Sequence, residues 1–215
     1  MAQEISPWDA SGMKDNNAPY VRRVESFLKN IVEDKPKHAL FLNMLAMLEH
    51  LGSRKIMVSQ MDRVMTQDTL QHLAEEARHA YFFKRNAERV ARKSLDGWTD
   101  ENTMCRIPSA MYFGRLDAGI SKKVGDENAY GWVSLIIELR ACWLYEIYQN
   151  VLEKSSDHMS LKSLLAEEDK HLAEMFEMCG EDYDTLKALS AYETDLFVKL
   201  WGTLESELSE IKEAA

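Results

Sequence analysis

Apolar residues recur at helical spacing over most of this chain. Val21, Val24, Phe27, Leu28 and Ile31 fall on one face of a short helix over residues 18–33. Asp34 and Pro36 interrupt that run, and Asp34 is placed to cap the next helix. Leu40, Met44, Met47, Leu48 and Leu51 predict a long helix from Lys37 to about Val58. Thr66 and Asp68 open a second, running to about Lys93 with Leu70, Leu73, Ala77, Ala80, Phe83 and Val90 as its apolar positions. A third runs from about Asn128 to Glu153 and is rich in Trp, Leu, Ile and Tyr. A fourth runs from about Ser160 to Cys179, with Gly180 a natural residue just past its end. An amphipathic fifth covers 183–211 through Leu186, Leu189, Leu196, Leu200 and Leu204. The polar residues 1–16 read as a loose arm. Residues 94–102, with Asp96-Gly97, read as a stop, and 103–126, with Pro108, Gly114, Gly119 and Gly125, as the least periodic interior stretch.

The connections predict the architecture. Short links join the first long helix to the second and the third to the fourth, while a long one separates the second from the third. This predicts an all-α fold: a ferritin-like four-helix bundle over 37–180, two antiparallel hairpins joined by a long crossover. An extra N-terminal helix and a C-terminal fifth helix complete it. With no low-complexity linker and no step in composition, the reading is a single domain over 1–215.

Composition narrows the function. Nine Gly and four Pro in 215 residues are few for an all-β chain. Lys plus Arg is 26 against 36 Asp plus Glu, a net charge of -10, which argues against a whole-surface nucleic-acid binder. No apolar stretch approaches the roughly 18 residues of a membrane span, and the first residues lack the pattern of a signal peptide. The three cysteines, Cys105, Cys142 and Cys179, form no CxxC pair and imply a reducing compartment. The expectation is a cytoplasmic protein with no membrane partner.

The chemistry lies in a repeat. Leu73-Ala-Glu-Glu-Ala-Arg-His79 and Leu165-Ala-Glu-Glu-Asp-Lys-His171 differ in kind only at Ala77 against Asp169, and each is centred in a long helix. Each contains Glu-x-x-His: Glu76 with His79, and Glu168 with His171. At that spacing a carboxylate and an imidazole leave one helix face and can reach one ion. Each pair is preceded, on the helix before it and at a similar distance, by a lone glutamate in apolar surroundings: Glu49 after Met47-Leu48, and Glu138 within Leu135-Ile136-Ile137-Glu138-Leu139. A bundle with this pattern holds two metal ions at its centre. The predicted ligands are therefore Glu49, Glu76, His79, Glu138, Glu168 and His171. Four carboxylates and one imidazole per ion suit Fe(II) or Mn(II). The donor set by itself therefore points to two divalent ions, Fe or Mn at either position.

Rivals stand nearby. Glu75 and Glu167 are within reach of the histidines at i+4 but read as solvated or supporting groups. Glu146 competes with Glu138 and would make a tighter hairpin, and Glu174 follows His171 by three residues and reads as solvent-facing. His38, His50, His72 and His158 read as surface histidines. Tyr145 and Cys142 share the side of Glu138, with packing as their default role.

The run Glu, Glu-x-x-His, Glu, Glu-x-x-His resembles the ferritin-like di-iron carboxylate superfamily. Within it, Ile137-Glu-Leu-Arg-Ala-Cys142 is similar to the third-helix motif of the tRNA 2-methylthio-N6-isopentenyladenosine hydroxylases and their relatives. The resemblance covers about residues 40–178. It supports Glu138 over Glu146 and implies iron at both positions, dioxygen activation and electrons from a separate reductase. The acidic chain favours a small organic substrate over a modified tRNA nucleoside, and a homodimer is compatible with this reading. The alternatives are a rubrerythrin-like peroxidase or ferroxidase, which here lacks cysteine pairs for a rubredoxin-type iron, and a non-catalytic iron-binding protein.

Overall fold

A computed structural model of the chain describes residues 5–63 and 65–213, with side chains described as far as residue 209. The described residues are all-α, with no strand. In chain order the helices are α1 (Pro7–Ser11), α2 (Met13–Asn17), α3 (Val21–Glu33), α4 (Lys35–Gln60), α5 (Gln67–Ala91), α6 (Arg106–Val124), α7 (Ala129–Glu153), α8 (Lys162–Cys179) and α9 (Tyr183–Glu213), with a 3-10 turn at Ala18–Tyr20 before α3. The helix pairs α4–α5 and α7–α8 pack as the hairpins of a bundle. No helix among the described residues is long and apolar enough to cross a membrane. Two compact units emerge. One comprises the residues up to Ser26 and Arg115–Lys199, the other Phe27–Gly114 and the residues from Leu200 onward.

In the unit of α4 and α5, the capping residues act as their chemistry dictates. Asp34 Oδ1 accepts from the Lys37 N–H at 3.3 Å, and Thr66 Oγ1 from the Thr69 N–H at 3.1 Å. Each meets one of the N–H groups that a helix start leaves without an intrahelical partner, worth about 1 kcal/mol. The core includes Phe27, edge-on to Phe41 at 5.8 Å and to Trp201 at 4.9 Å between ring centres. The stop after α5 is pinned to the hairpin: Asn43 Nδ2 donates to the carbonyl of Asn102 at 2.8 Å, and Lys84 Nζ to Asn43 Oδ1 at 3.0 Å and to the Leu95 carbonyl.

The unit of α7 and α8 corrects two expectations. Of the expected arm over 1–16, residues 1–4 lie outside the described residues, and 7–16 are not loose but fall in α1 and α2, joined at Gly12. Met13 and Asn17 are buried, and Asn17 Nδ2 donates to Thr194 Oγ1 at 3.0 Å. Residues 106–124, read as irregular, form α6, which contributes to both units. Pro108 lies in its first turn, where a missing N–H goes unnoticed. Gly119 serves close approach rather than a turn: a Cβ there would stand 2.5 Å from Tyr192 Oη, which itself donates to the Arg115 carbonyl at 2.9 Å.

The arginine of the Ile137–Cys142 run has a clear structural task. Arg140 is 6% exposed and grips Glu193, fully buried on α9, through Nε at 2.8 Å and Nη2 at 2.6 Å. Nη2 also donates to Asn17 Oδ1 at 2.9 Å, and the guanidinium lies 3.8 Å from the centre of the Phe197 ring. The planar fork satisfies a buried carboxylate bidentately while its face packs on an aromatic ring, which a lysine would not do.

Candidate metal centre

Two buried groups of glutamate and histidine form, one in each unit. In the first, α4 supplies Glu49 and α5 supplies Glu76 and His79, exposed by 8%, 5% and 2%. Each offers a donor atom, and these atoms lie within 4.8 Å of one another. Glu76 and His79 meet because positions three apart on a helix share a face, and His79 Nδ1 is 3.7 Å from Glu76 Oε1. Glu49 joins them because α4 packs along α5 across the short link. A Cβ at Gly52 would stand 3.1 Å from Glu76 Oε2, so glycine leaves the carboxylate its room.

In the second group α7 supplies Glu138 and α8 supplies Glu168 and His171, all at most 2% exposed. His171 Nδ1 is 3.9 Å from Glu138 Oε1 and 3.8 Å from Glu168 Oε2. The surroundings of Glu138 are apolar: Leu135, Ile136 and Leu139 are fully buried. Cys142, one turn further on, has its Sγ 3.7 Å from Asp169 Oδ1. Burial pushes its thiol well above the ordinary range, and the charges of Glu168 and Asp169 push it further in that direction. Cys142 is thus a protonated, packed thiol at neutral pH, not a thiolate. Burial likewise pushes Cys179 up to about 12.

The donor set fits a hard divalent ion. Carboxylate oxygens and imidazole nitrogens are the ligands such ions take. The N···O separations of 3.7–3.9 Å are too long for hydrogen bonds. They lie near the roughly 3–3.5 Å between neighbouring donors bound at about 2.1 Å to one ion.

None of the rivals is buried as these six are. Glu146 is exposed, whereas Glu138 is 2% exposed. Glu75 accepts from Gln71 Nε2 at 2.9 Å and pairs with Arg78 at 3.6 Å, and Glu174 pairs with Lys170 at 3.3 Å. Glu167 is half-buried.

Two of the histidines read as surface residues are buried. His38 is one, and His72 the other, with its Nε2 3.7 Å from Glu76 Oε1. His50 is partly covered and stacks on Trp98 at 4.7 Å, and its pKa is held below the ordinary value by burial and by the charge of Arg54. His158 is exposed, as expected. The burial of His72 had a signal in the sequence: His72, Glu76 and His79 stand at i, i+4 and i+7, one helix face.

The fold and these groups define a helical protein with candidate metal-binding clusters of carboxylate and imidazole. No protein-family model, no curated protein and no solved structure matches this chain.

Proposed function

We propose that the two groups act as halves of one dinuclear iron centre and that the chain is a non-haem di-iron oxidoreductase. Glu49, Glu76 and His79 from the first hairpin and Glu138, Glu168 and His171 from the second would hold the ions. The observation that carries this reading is that each copy of the repeat buries its Glu-x-x-His pair beside a glutamate from the preceding helix. Surface glutamates and histidines would have no reason to be buried twice in the same arrangement, since taking charge out of water is costly. Four carboxylates balance the charge of two divalent ions, so the loaded centre is neutral and tolerates an apolar setting.

Bound iron would supply the electrons that reduce dioxygen, and a separate reductase would restore them. The chain's own part is to set the donors at fixed positions on rigid helices. Leu135, Ile136 and Leu139 keep water from the Glu138 side. The substrate class proposed is a small organic molecule that is hydroxylated or oxidised, with Mn the alternative metal.

The test is metal analysis of protein purified from iron-supplemented cells, followed by anaerobic reduction and exposure to dioxygen. The expected result is two Fe per chain and stoichiometric oxygen uptake by the reduced protein. Iron bound without oxygen uptake would reduce the reading to iron binding. Protein that retains no iron or manganese would overturn it.

A further inference from the structure

The repeat breaks its symmetry one turn before each Glu-x-x-His. Four residues ahead of Glu76 stands His72, and four ahead of Glu168 stands Leu164, a buried apolar residue. His72 is 3% exposed, as deeply buried as the predicted ligands Glu76 and His79. Its Nε2 lies 3.7 Å from Glu76 Oε1, and His79 Nδ1 lies 3.7 Å from that same oxygen. One carboxylate is thus flanked along α5 by two buried imidazoles, each at a spacing suited to a shared ion rather than to a hydrogen bond.

Resting on the dinuclear reading, we propose that His72 is a seventh ligand, which would hold the ions from α5 together with Glu76 and His79. A neutral imidazole adds a donor without changing the charge balance of four carboxylates and two divalent ions. Three imidazoles cannot divide evenly between two ions, so the centre is inequivalent by construction: one ion is richer in nitrogen and the other in oxygen.

The test loads the full chain with Co(II) and counts the strongly shifted imidazole N–H resonances in proton NMR spectra recorded in H2O and D2O. Wild type is expected to bind two ions and show three such resonances. His72→Leu, which imports the residue of the other copy, is expected to show two and to hold one ion at least tenfold more weakly. His72→Gln keeps a polar group of similar size and gives the same count should the leucine variant not fold. Two ions with only two shifted resonances in wild type would overturn the role of His72 while leaving the six-ligand centre intact. Absence of Co(II) binding by wild type would overturn the centre, and His72 with it.

Discussion

The α4–α5 and α7–α8 hairpins carry the same seven-residue element, yet they are held by different means. In the first, the second helix starts on a local cap, Thr66 to the Thr69 N–H. In the second, Leu161 precedes α8 without a side-chain cap of its own, and its buried N–H is met at 2.6 Å by Gln149 Oε1 from α7. Two residues beyond the lone glutamate, the first hairpin has Leu51 and the second has Arg140, bound to Glu193 and Asn17. Repetition therefore preserved the donors and not the scaffold. At its second helix start the first half relies on a neighbour in sequence, whereas the second half relies there on a residue of the preceding helix and, at Arg140, on groups brought from far along the chain.

The largest effect should come from Arg140. Replacing it with methionine strands Glu193 in the interior, and loss of one partner of a buried pair costs about 3–5 kcal/mol. Urea unfolding should show that loss, and the double variant Arg140→Met with Glu193→Leu should recover much of it. A single-variant loss under about 1 kcal/mol would mean that the pair does not anchor its half.

Metal binding should test whether the halves act together. At a free Mn(II) concentration near 100 times Kd, native-state binding adds about 2.7 kcal/mol of stability. Binding should tighten as pH rises from about 5 to 7, because ligation displaces protons. His79→Ala and His171→Ala should each lose most of this stabilisation, read as the melting-temperature difference between apo and loaded protein. A substantial part of it kept in both variants would show that the halves bind metal separately.

The helix starts differ by a smaller margin. Gln149→Leu leaves the Leu161 N–H buried and unmet, at about 1–3 kcal/mol, whereas Thr66→Ala should lose about 1 kcal/mol. Equal losses would erase the contrast between local and distant capping.

The smallest effect on folding should be at Gly52, whose counterpart three residues after Glu138 is Ala141. Alanine is favoured over glycine inside a helix by about 1 kcal/mol, but at Gly52 its Cβ would press on Glu76 Oε2 from 3.1 Å. Gly52→Ala should therefore leave apo stability within about 1 kcal/mol of wild type while weakening metal binding. Ala141→Gly should lower stability and leave metal binding unchanged. Unaltered metal affinity in Gly52→Ala would show that Glu76 needs no such room.

Much of the fold and of the site is legible in the chain itself. The long helices follow from apolar spacing and from the caps at Asp34 and Thr66, because both depend on residues within a turn or two of each other. The inward position of Glu138, against the exposed Glu146, follows from its apolar flanks and from the resemblance of its motif. The inward positions of Glu76, His79, Glu168 and His171 follow from helical spacing within a duplicated segment.

Other features required the tertiary structure, because their partners are distant in the chain. Residues 7–16 look like an arm until Met13 and Asn17 are seen buried, the latter bonded to Thr194 and Arg140. Residues 106–124 look like a loop because glycine and proline ordinarily punctuate, but Gly119 is there to admit the ring of Tyr192. His72 looks like a surface histidine because an isolated polar residue usually faces water, whereas the face of α5 that it shares with Glu76 is buried. The sequence by itself determined which segments of the long hairpins are helical and which donors recur, since those depend on spacing along one helix. Only the tertiary structure decided which polar residues leave water, because burial is a property of what packs against a residue and not of its neighbours in the chain.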